Sequence, residues 1–310
     1  MIASTNVVGR GFFSCFDGEL MDSSSLQINL LSEYETSYRL GRSLRRRVME
    51  YVERCHLEDG GYFFARVPPS NGLDTYFAVK SLSILGVNPD RPEAIASFFL
   101  NDVKEGTLGG MPGIFVTIEV LNELGRMTDD LRCYARQQIM LRQNKAGVFG
   151  ALEDIYIEVS SELEETYRAV RVLRTIGADF NERRIADFVS SKLNLDGGYG
   201  RGEWSTLAST VDATGIHKLL GTNTKKLAIT RDYLRKREEN WQVQFIEDLY
   251  WLVGGLDNLG EKSNFPDRTL RFVMECQRVN GGFSRATIMG IPTLEYTFYA
   301  LSILREIGAL

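Results

Sequence analysis

The chain has 310 residues, 44% hydrophobic and 25% charged, with a formal net charge of −5. This composition excludes a disordered or fibrous chain, and the acidic balance argues against a nucleic-acid surface. No apolar run approaches the ~18 residues of a membrane span, and the four scattered cysteines, Cys15, Cys55, Cys133 and Cys276, lack the pair spacing of a metal site.

Residues 1–32 mix glycine and serine without periodicity and are read as an N-terminal arm. They carry no basic region ahead of an apolar stretch, so no secretory signal is expected. The C-terminus lacks a prenylation cysteine. A cytoplasmic location, with the cysteines as buried free thiols, is the expectation. The basic run Arg42, Arg45, Arg46 and Arg47 reads as a helix face, and as a candidate contact for an acidic partner.

Residues 33–310 read as one repeat domain. Its unit is an amphipathic helix, a Gly-rich turn and a second, mostly apolar helix that ends on glycine. The second helices are predicted at Leu73–Gly86, Ile114–Gly125, Leu163–Gly177, Val211–Gly221, Ile246–Gly260 and Leu294–Gly308. The turns carry Gly60-Gly61, Gly109-Gly110, Gly147 with Gly150, Gly197-Gly198 and Gly281-Gly282, while the fifth holds Glu239-Asn240-Trp241 instead. Helices apolar on all sides belong inside and amphipathic ones outside. The predicted fold is therefore all-α, an (α/α)6 barrel or toroid of six helical hairpins, with a central funnel at the starts of the inner helices.

Those starts concentrate acids and aromatics. The candidate ligand-binding residues are Asp74, Tyr76, Glu165, Tyr167, Asp212, Trp251 and Tyr299, with Arg285 from the last turn. The candidate catalytic residues are Glu247, Asp248, Tyr250, Glu295 and Tyr296. Acids in a first helical turn also cap free N–H groups and complement the helix dipole. Their functional reading rests on convergence at one rim, where an aromatic wall suits a hydrocarbon chain.

The Gly-Gly-Phe/Tyr turns and the acid-aromatic starts of the second helices resemble the β subunit of protein farnesyl- and geranylgeranyltransferases. That α/α-barrel superfamily includes squalene and terpene cyclases. The strongest stretches are Ile246 to Tyr250, Cys276 to Phe283 and Glu295 to Ser302. The resemblance implies isoprenoid handling, as a transferase or cyclase if active. It places zinc ligands on Glu247, Leu249 and Tyr296, and leucine cannot coordinate. No zinc is expected, while Mg²⁺ carrying a diphosphate on Glu247, Asp248 and Glu295 stays open. Tyr250 and Tyr296 would donate hydrogen bonds or stabilise a cation. The basic residues that hold diphosphate in the family fall on Trp241, Gln244 and near Ala208, leaving Arg285, Arg201 or Lys218 as substitutes. The cyclase acid position falls on Leu73. A helical-repeat protein partner is implied by the family and by no residue of this chain beyond the Arg42–Arg47 face. Two other readings remain: a non-catalytic lipid- or partner-binding descendant, and a carboxylate-based glycan-processing barrel. Two or more cations pointing inward would favour an isoprenoid diphosphate.

Overall fold

Each inner helix of this protein stops on a glycine, and four of the six start on a polar side-chain cap, Asn71, Ser161, Thr206 or Thr293; these signals fix the architecture. In the computed structural model the described residues are 41–144, 147–149 and 161–310. The arm at 1–32, Cys15 and Gly150 lie outside them. Residues 43–310 form one unit. Its first helix is α1, residues 43–53. The inner helices are α2 (Gly72–Ile84), α4 (Gly110–Glu123), α6 (Glu162–Thr175), α8 (Leu207–Leu219), α10 (Ile246–Asn258) and α12 (Leu294–Glu306). The outer helices that follow α1 are α3 (Pro92–Glu105), α5 (Asp129–Met140), α7 (Glu182–Ser191), α9 (Ala228–Glu239) and α11 (Pro266–Glu275).

The inner helices contact one another in chain order, and α12 returns to pack on α2. The ring is therefore closed, as an all-α toroid. The outer helices bury one stripe only: Leu131, Ala135 and Ile139 on α5, Ile185 and Val189 on α7. The inner helices bury most of their circumference, as with Thr297, Phe298, Ala300, Leu301, Ser302, Ile303 and Leu304 on α12.

Every inner helix ends in the same way. The closing glycines 86, 125, 177, 221, 260 and 308 have φ of 66–76°. The next residue donates its N–H to a carbonyl five residues back, as from Val87 to Leu82 at 3.0 Å and Ala309 to Leu304 at 2.8 Å. This is the Schellman closure.

The Gly-Gly-aromatic turn has a second role. Tyr62, Tyr199 and Phe283 donate their backbone N–H to the hydroxyl of Thr75, Thr210 and Thr297 at 2.9, 3.0 and 3.1 Å. Each threonine hydroxyl donates in turn to the carbonyl of the helix cap, Asn71, Thr206 or Thr293, at 2.7 Å. One buried side chain thus pins the turn to the start of its inner helix. The turn also reaches the neighbouring repeat. A Cβ on Gly197 would lie 2.3 Å from the carbonyl oxygen of Ile229, and one on Gly281 2.1 Å from that of Arg47. The second contact joins the last repeat to the first. Arg47 adds a bond to Gln277 at 2.8 Å, Arg54 one to the Asn280 carbonyl at 2.7 Å, and Tyr51 one to the Pro292 carbonyl at 2.9 Å.

Two turns widen into hairpins: β1 (Tyr199–Arg201) pairs with β2 (Trp204–Thr206), and β3 (Phe283–Ser284) with β4 (Pro292–Thr293), both antiparallel. The fifth turn lacks glycine. Trp241 itself adopts φ 46° there, and the Arg268 guanidinium stacks 4.0 Å above its ring. Helix α8 begins four residues before the predicted Val211, because Thr206 accepts the Ser209 N–H and caps it early. Cys55 and Cys276 are buried as expected, but Cys133 is exposed, since its position on α5 faces away from the Leu131–Ala135–Ile139 stripe.

The ring-closing turn is the place to test this architecture. Gly281→Ala is expected to cost more than about 2 kcal/mol, because a backbone carbonyl occupies the Cβ position and φ is 95°. Gly308→Ala meets open space and should cost only about 1–2 kcal/mol for the left-handed conformation. Thermal denaturation of the two variants checks the order, and equal losses would refute it.

Candidate functional site

Along the axis of the ring lie two chambers of about 180 and 310 Å³. The smaller is lined by the first halves of the inner helices, including Leu73, Phe115, Tyr167, Asp212, Trp251 and Tyr299. The larger is lined by their second halves, including Lys80, Ser83, Lys218, Asp257, Ser302 and Glu306. The inner helices therefore run parallel, with all their N-termini at the end of the smaller chamber. Tyr76, Tyr167, Arg171, Val211, Tyr250, Asn258 and Phe298 border both chambers and form the waist between them.

One wall of the waist is a continuous set of aromatic rings. Tyr250 stacks on Tyr299 with centroids 4.3 Å apart and planes 20° apart. Phe298 lies 5.8 Å from Tyr250, 5.5 Å from Phe77 and 6.1 Å from Tyr76, and Tyr76 lies 5.6 Å from Phe115. Such spacings suit tilted aromatic contacts. Burial pushes the Tyr76, Tyr250 and Tyr299 phenols well above their usual range, so all three stay neutral. Across the bore, Gly215 leaves room for the Tyr167 ring, which a Cβ there would meet at 2.7 Å.

The waist also holds charge. The Arg171 guanidinium donates to both carboxylate oxygens of Glu119, at 3.1 and 2.7 Å, and to the Tyr167 hydroxyl at 2.9 Å. Lys80 bonds Glu123 at 2.8 Å and lies 3.5 Å from Glu119. This bidentate pair is of the strong, charge-assisted kind. The sequence reading passed over these residues. Their signal was a lone charge in the middle of an apolar helix: Lys80 in α2 and Glu119 in α4.

Of the residues singled out from sequence, Tyr76, Tyr167, Asp212, Tyr250, Trp251 and Tyr299 line the smaller chamber. Leu73 lines it too, and Lys218 lines the larger chamber, while the remaining candidates line neither. Asp74 accepts from the Phe64 N–H at 3.3 Å and from Asn71 at 3.1 Å. Glu165 pairs with Arg168 at 3.2 Å. Asp248 accepts the N–H groups of Gln244 and Phe245, both at 3.0 Å, and starts α10. Glu247 is bonded through one oxygen to Arg285 at 2.5 Å, and Arg285 stacks 3.9 Å above the Phe245 ring. The other Glu247 oxygen is buried without a partner. Glu295 accepts from the Tyr299 hydroxyl at 2.8 Å, and burial raises its carboxyl. Tyr296, partly buried beside Glu247 and Glu295, is raised by burial and by those two charges. Leu249 is buried in the core. Arg201 is exposed on β1, while Lys218 borders the larger chamber and bonds Asp257 at 2.8 Å.

Among the described residues there is no group of three or more His, Cys, Asp or Glu placed to hold a metal ion. The residues at the three positions that the resemblance assigns to zinc do not fit that metal. One is hydrocarbon, and another already holds a guanidinium.

The profile of the prenyltransferase alpha-alpha toroid domain matches residues 24–245 and 231–309. A search of curated proteins finds no match. Among solved structures, the chain is similar to Candida albicans protein geranylgeranyltransferase-I complexed with GGPP, at 16% identity and a TM-score of 0.64. That likeness covers 84% of this chain and 90% of the other. It is also similar to type II terpene cyclase MstE from Scytonema. A variant in complex with geranylgeranyl dihydroxybenzoate gives 12% identity and a TM-score of 0.61, over 89% and 100% of the two chains. The apo form gives 10% identity and a TM-score of 0.61, over 87% and 99%. At these identities the likeness is one of fold.

Asp212 stands apart from the other acids of the bore, because no hydrogen bond to its side chain is made among the described residues. Burial pushes its carboxyl up to about 8, with Glu164 adding to the rise and Arg168 opposing it. The folded chain keeps this proton while the unfolded chain loses it near pH 4. Stability should therefore fall as pH rises from about 4 to 8, by at most about 1.4 kcal/mol per unit, and level off above. Asp212→Asn removes this component. Its melting temperature should gain on the unsubstituted protein more at pH 8 than at pH 5. A gap independent of pH would show that Asp212 is already ionised.

Proposed function

The chain belongs to the prenyltransferase alpha-alpha toroid family, and we propose that it binds an isoprenoid chain along the axis of its ring, without zinc. The observation that carries this reading is the unbroken aromatic wall of Tyr76, Phe77, Phe115, Tyr250, Phe298 and Tyr299 around a bore with two chambers. A flexible polyene gains free energy from such a wall by burial alone, at about 25 cal/mol per Å². The aromatic faces also stabilise positive charge, which develops on the prenyl carbon in both transfer and cyclisation. The geranylgeranyl ligands of the two structural relatives support the same class of ligand.

The polar head belongs at the smaller chamber. There the six inner-helix N-termini favour negative charge. Arg168 and Arg171, on successive turns of α6, border that chamber, and a diphosphate would share them with the carboxylates that hold them, Glu164 and Glu165 for Arg168 and Glu119 for Arg171. Tyr250 is the residue of the proposed catalytic set that touches the bore. Glu247, Glu295 and Tyr296 would act through Tyr299 and Arg285, and Asp248 through the start of α10.

Solvent extraction of the purified protein followed by mass spectrometry tests the ligand class, with geranylgeranyl diphosphate titrated into extracted protein as the direct probe. Gly254 lines the larger chamber, and a Cβ there meets only Val211, at 3.4 Å. Gly254→Phe should fill the bore and weaken binding at least about tenfold, or 1.4 kcal/mol, with the fold retained. Gly254→Ala should bind as the unsubstituted chain does. If extracted protein fails to bind the diphosphate and yields no isoprenoid, or if Gly254→Phe binds normally, the reading is wrong.

A further inference from the structure

Large apolar side chains stand in water on three protrusions at one end of the ring. On the β3–β4 hairpin, Ile288 is 89% exposed, Met289 65% and Ile291 64%. On the β1–β2 hairpin, Trp204 is 83% exposed. In the turn ahead of α2, Val67 is 55% exposed. Single exposed apolar residues are ordinary, but a run of them on a hairpin tip marks a contact surface.

Topology puts the three protrusions together. The β3–β4 hairpin ends on Thr293, the cap of α12; the β1–β2 hairpin ends on Thr206, the cap of α8; and the 62–71 turn ends on Asn71, the cap of α2. All three caps lie at the mouth of the smaller chamber. Helices α2 and α12 are neighbours in the ring, while α8 lies opposite α2, reached through α10. The protrusions therefore occupy an arc that spans half the rim, with Val67 and Trp204 on opposite sides of the mouth. Leu73, half-exposed in the first turn of α2, lines the chamber and extends the apolar surface from its mouth towards the rim.

Charge distinguishes what this arc meets. The whole chain carries −5. The three protruding segments, residues 62–71, 199–206 and 283–293, instead hold Arg66 and Arg201 against the single acid Glu203, with Arg285 paired to Glu247. Aliphatic tips and a tryptophan flanked by two exposed arginines have the composition of a membrane-interface surface: apolar groups enter the acyl boundary, tryptophan sits at head-group level, and arginines meet anionic lipid. No helix among the described residues is long and apolar enough to cross a membrane.

We propose that this arc docks the ring on the surface of an anionic lipid bilayer, with the smaller chamber facing the lipid. The proposal concerns the surface and does not require the identity of the ligand in the bore. Contact is peripheral. The Ile288–Ile291 tip and Trp204 insert, and Arg66 and Arg201 add an electrostatic component that salt weakens.

Flotation of the full chain with phosphatidylcholine vesicles, with and without phosphatidylglycerol, tests it. The protein should float with the anionic vesicles, and less so at high salt. Tryptophan fluorescence should shift to the blue on binding, and Trp204→Phe should abolish the shift although Trp241 and Trp251 remain. Joint replacement Ile288→Glu and Ile291→Glu should weaken binding about tenfold or more, and Arg66→Glu with Arg201→Glu about fivefold or more. These side chains are exposed, so melting temperatures should hold. Val279→Glu changes an equally exposed apolar residue in the turn packed against α1, and should bind normally. Absence of flotation, normal binding by the Ile288/Ile291 variant, or an equal loss in Val279→Glu would overturn the proposal. Concentration-dependent self-association without flotation would assign the arc to a protein contact instead.

Discussion

A threonine hydroxyl placed between a turn and a helix cap, in three of the six repeats, is the contact on which the rest of the molecule depends. In α2, α8 and α12 it accepts the N–H of the aromatic residue after Gly-Gly and donates to the cap carbonyl. Buried polar groups must be paired, so the threonine allows one geometry for the turn. That geometry brings the first glycine against the backbone of the next outer helix, where a side chain would not fit. Local hydrogen bonding is thereby converted into a fixed step between repeats at α2, α8 and α12, and the six repeats together return the chain to its start. In repeat arrays stability is mostly a matter of neighbour interfaces. A closed ring adds one more interface and leaves no open end.

Closure creates a problem at the axis. Six helices meeting around a point leave a bore too wide for small side chains to fill. The chain fills part of it with aromatic rings and braces the rest with Arg171, Glu119 and Lys80. A lone charge there would be very unfavourable. The bidentate bond between Arg171 and Glu119 ties α6 to α4, and Lys80 ties α2 to the same carboxylate. Three inner helices are thus joined by one neutralised network at the waist. It sets the width of the passage between the chambers.

The repeat, the two layers and the helix ends were legible in the sequence because they depend on local chemistry. Glycine at a left-handed closure and apolar residues around a whole helix circumference are signals that one sequence carries. The site was only partly legible. Tyr76, Tyr167, Tyr250 and Tyr299 could be picked out because aromatics recur at a fixed offset from each inner-helix start. Arg171, Glu119 and Phe298 could not, because their roles depend on which helices face each other across the axis. The acids of the inner-helix starts show the limit most clearly. Asp74, Asp248 and Asp212 all stand near the predicted starts of their helices, yet the first two bond local N–H groups while the third lines the bore. What separates them is register. Asp74 and Asp248 are the third residues of α2 and α10, but α8 starts at Leu207, so Asp212 sits a turn further along its helix, beyond reach of the capping N–H groups.

The two ends of the ring differ electrostatically for the same reason that the helices are parallel. Partial positive charge gathers at the N-terminal end and partial negative charge at the other. Lys80, Lys218 and Arg305, towards the C-terminal ends of their helices, offset the second field, and each already has a carboxylate partner: Glu123, Asp257 and Glu306. That end presents no unbalanced charge to a ligand. At the first end, Asp248 and Asp74 are spent on backbone donors and Glu247 on Arg285, while Asp212 keeps its proton below about pH 8. Much of the acidic rim is thus neutral or already engaged, and the helix N-termini are left less opposed than a count of carboxylates suggests. That polarity gives the bore a direction. In the proposed reading an anionic head group would sit at that end, the rim where the exposed hairpins stand, and an uncharged chain towards the other.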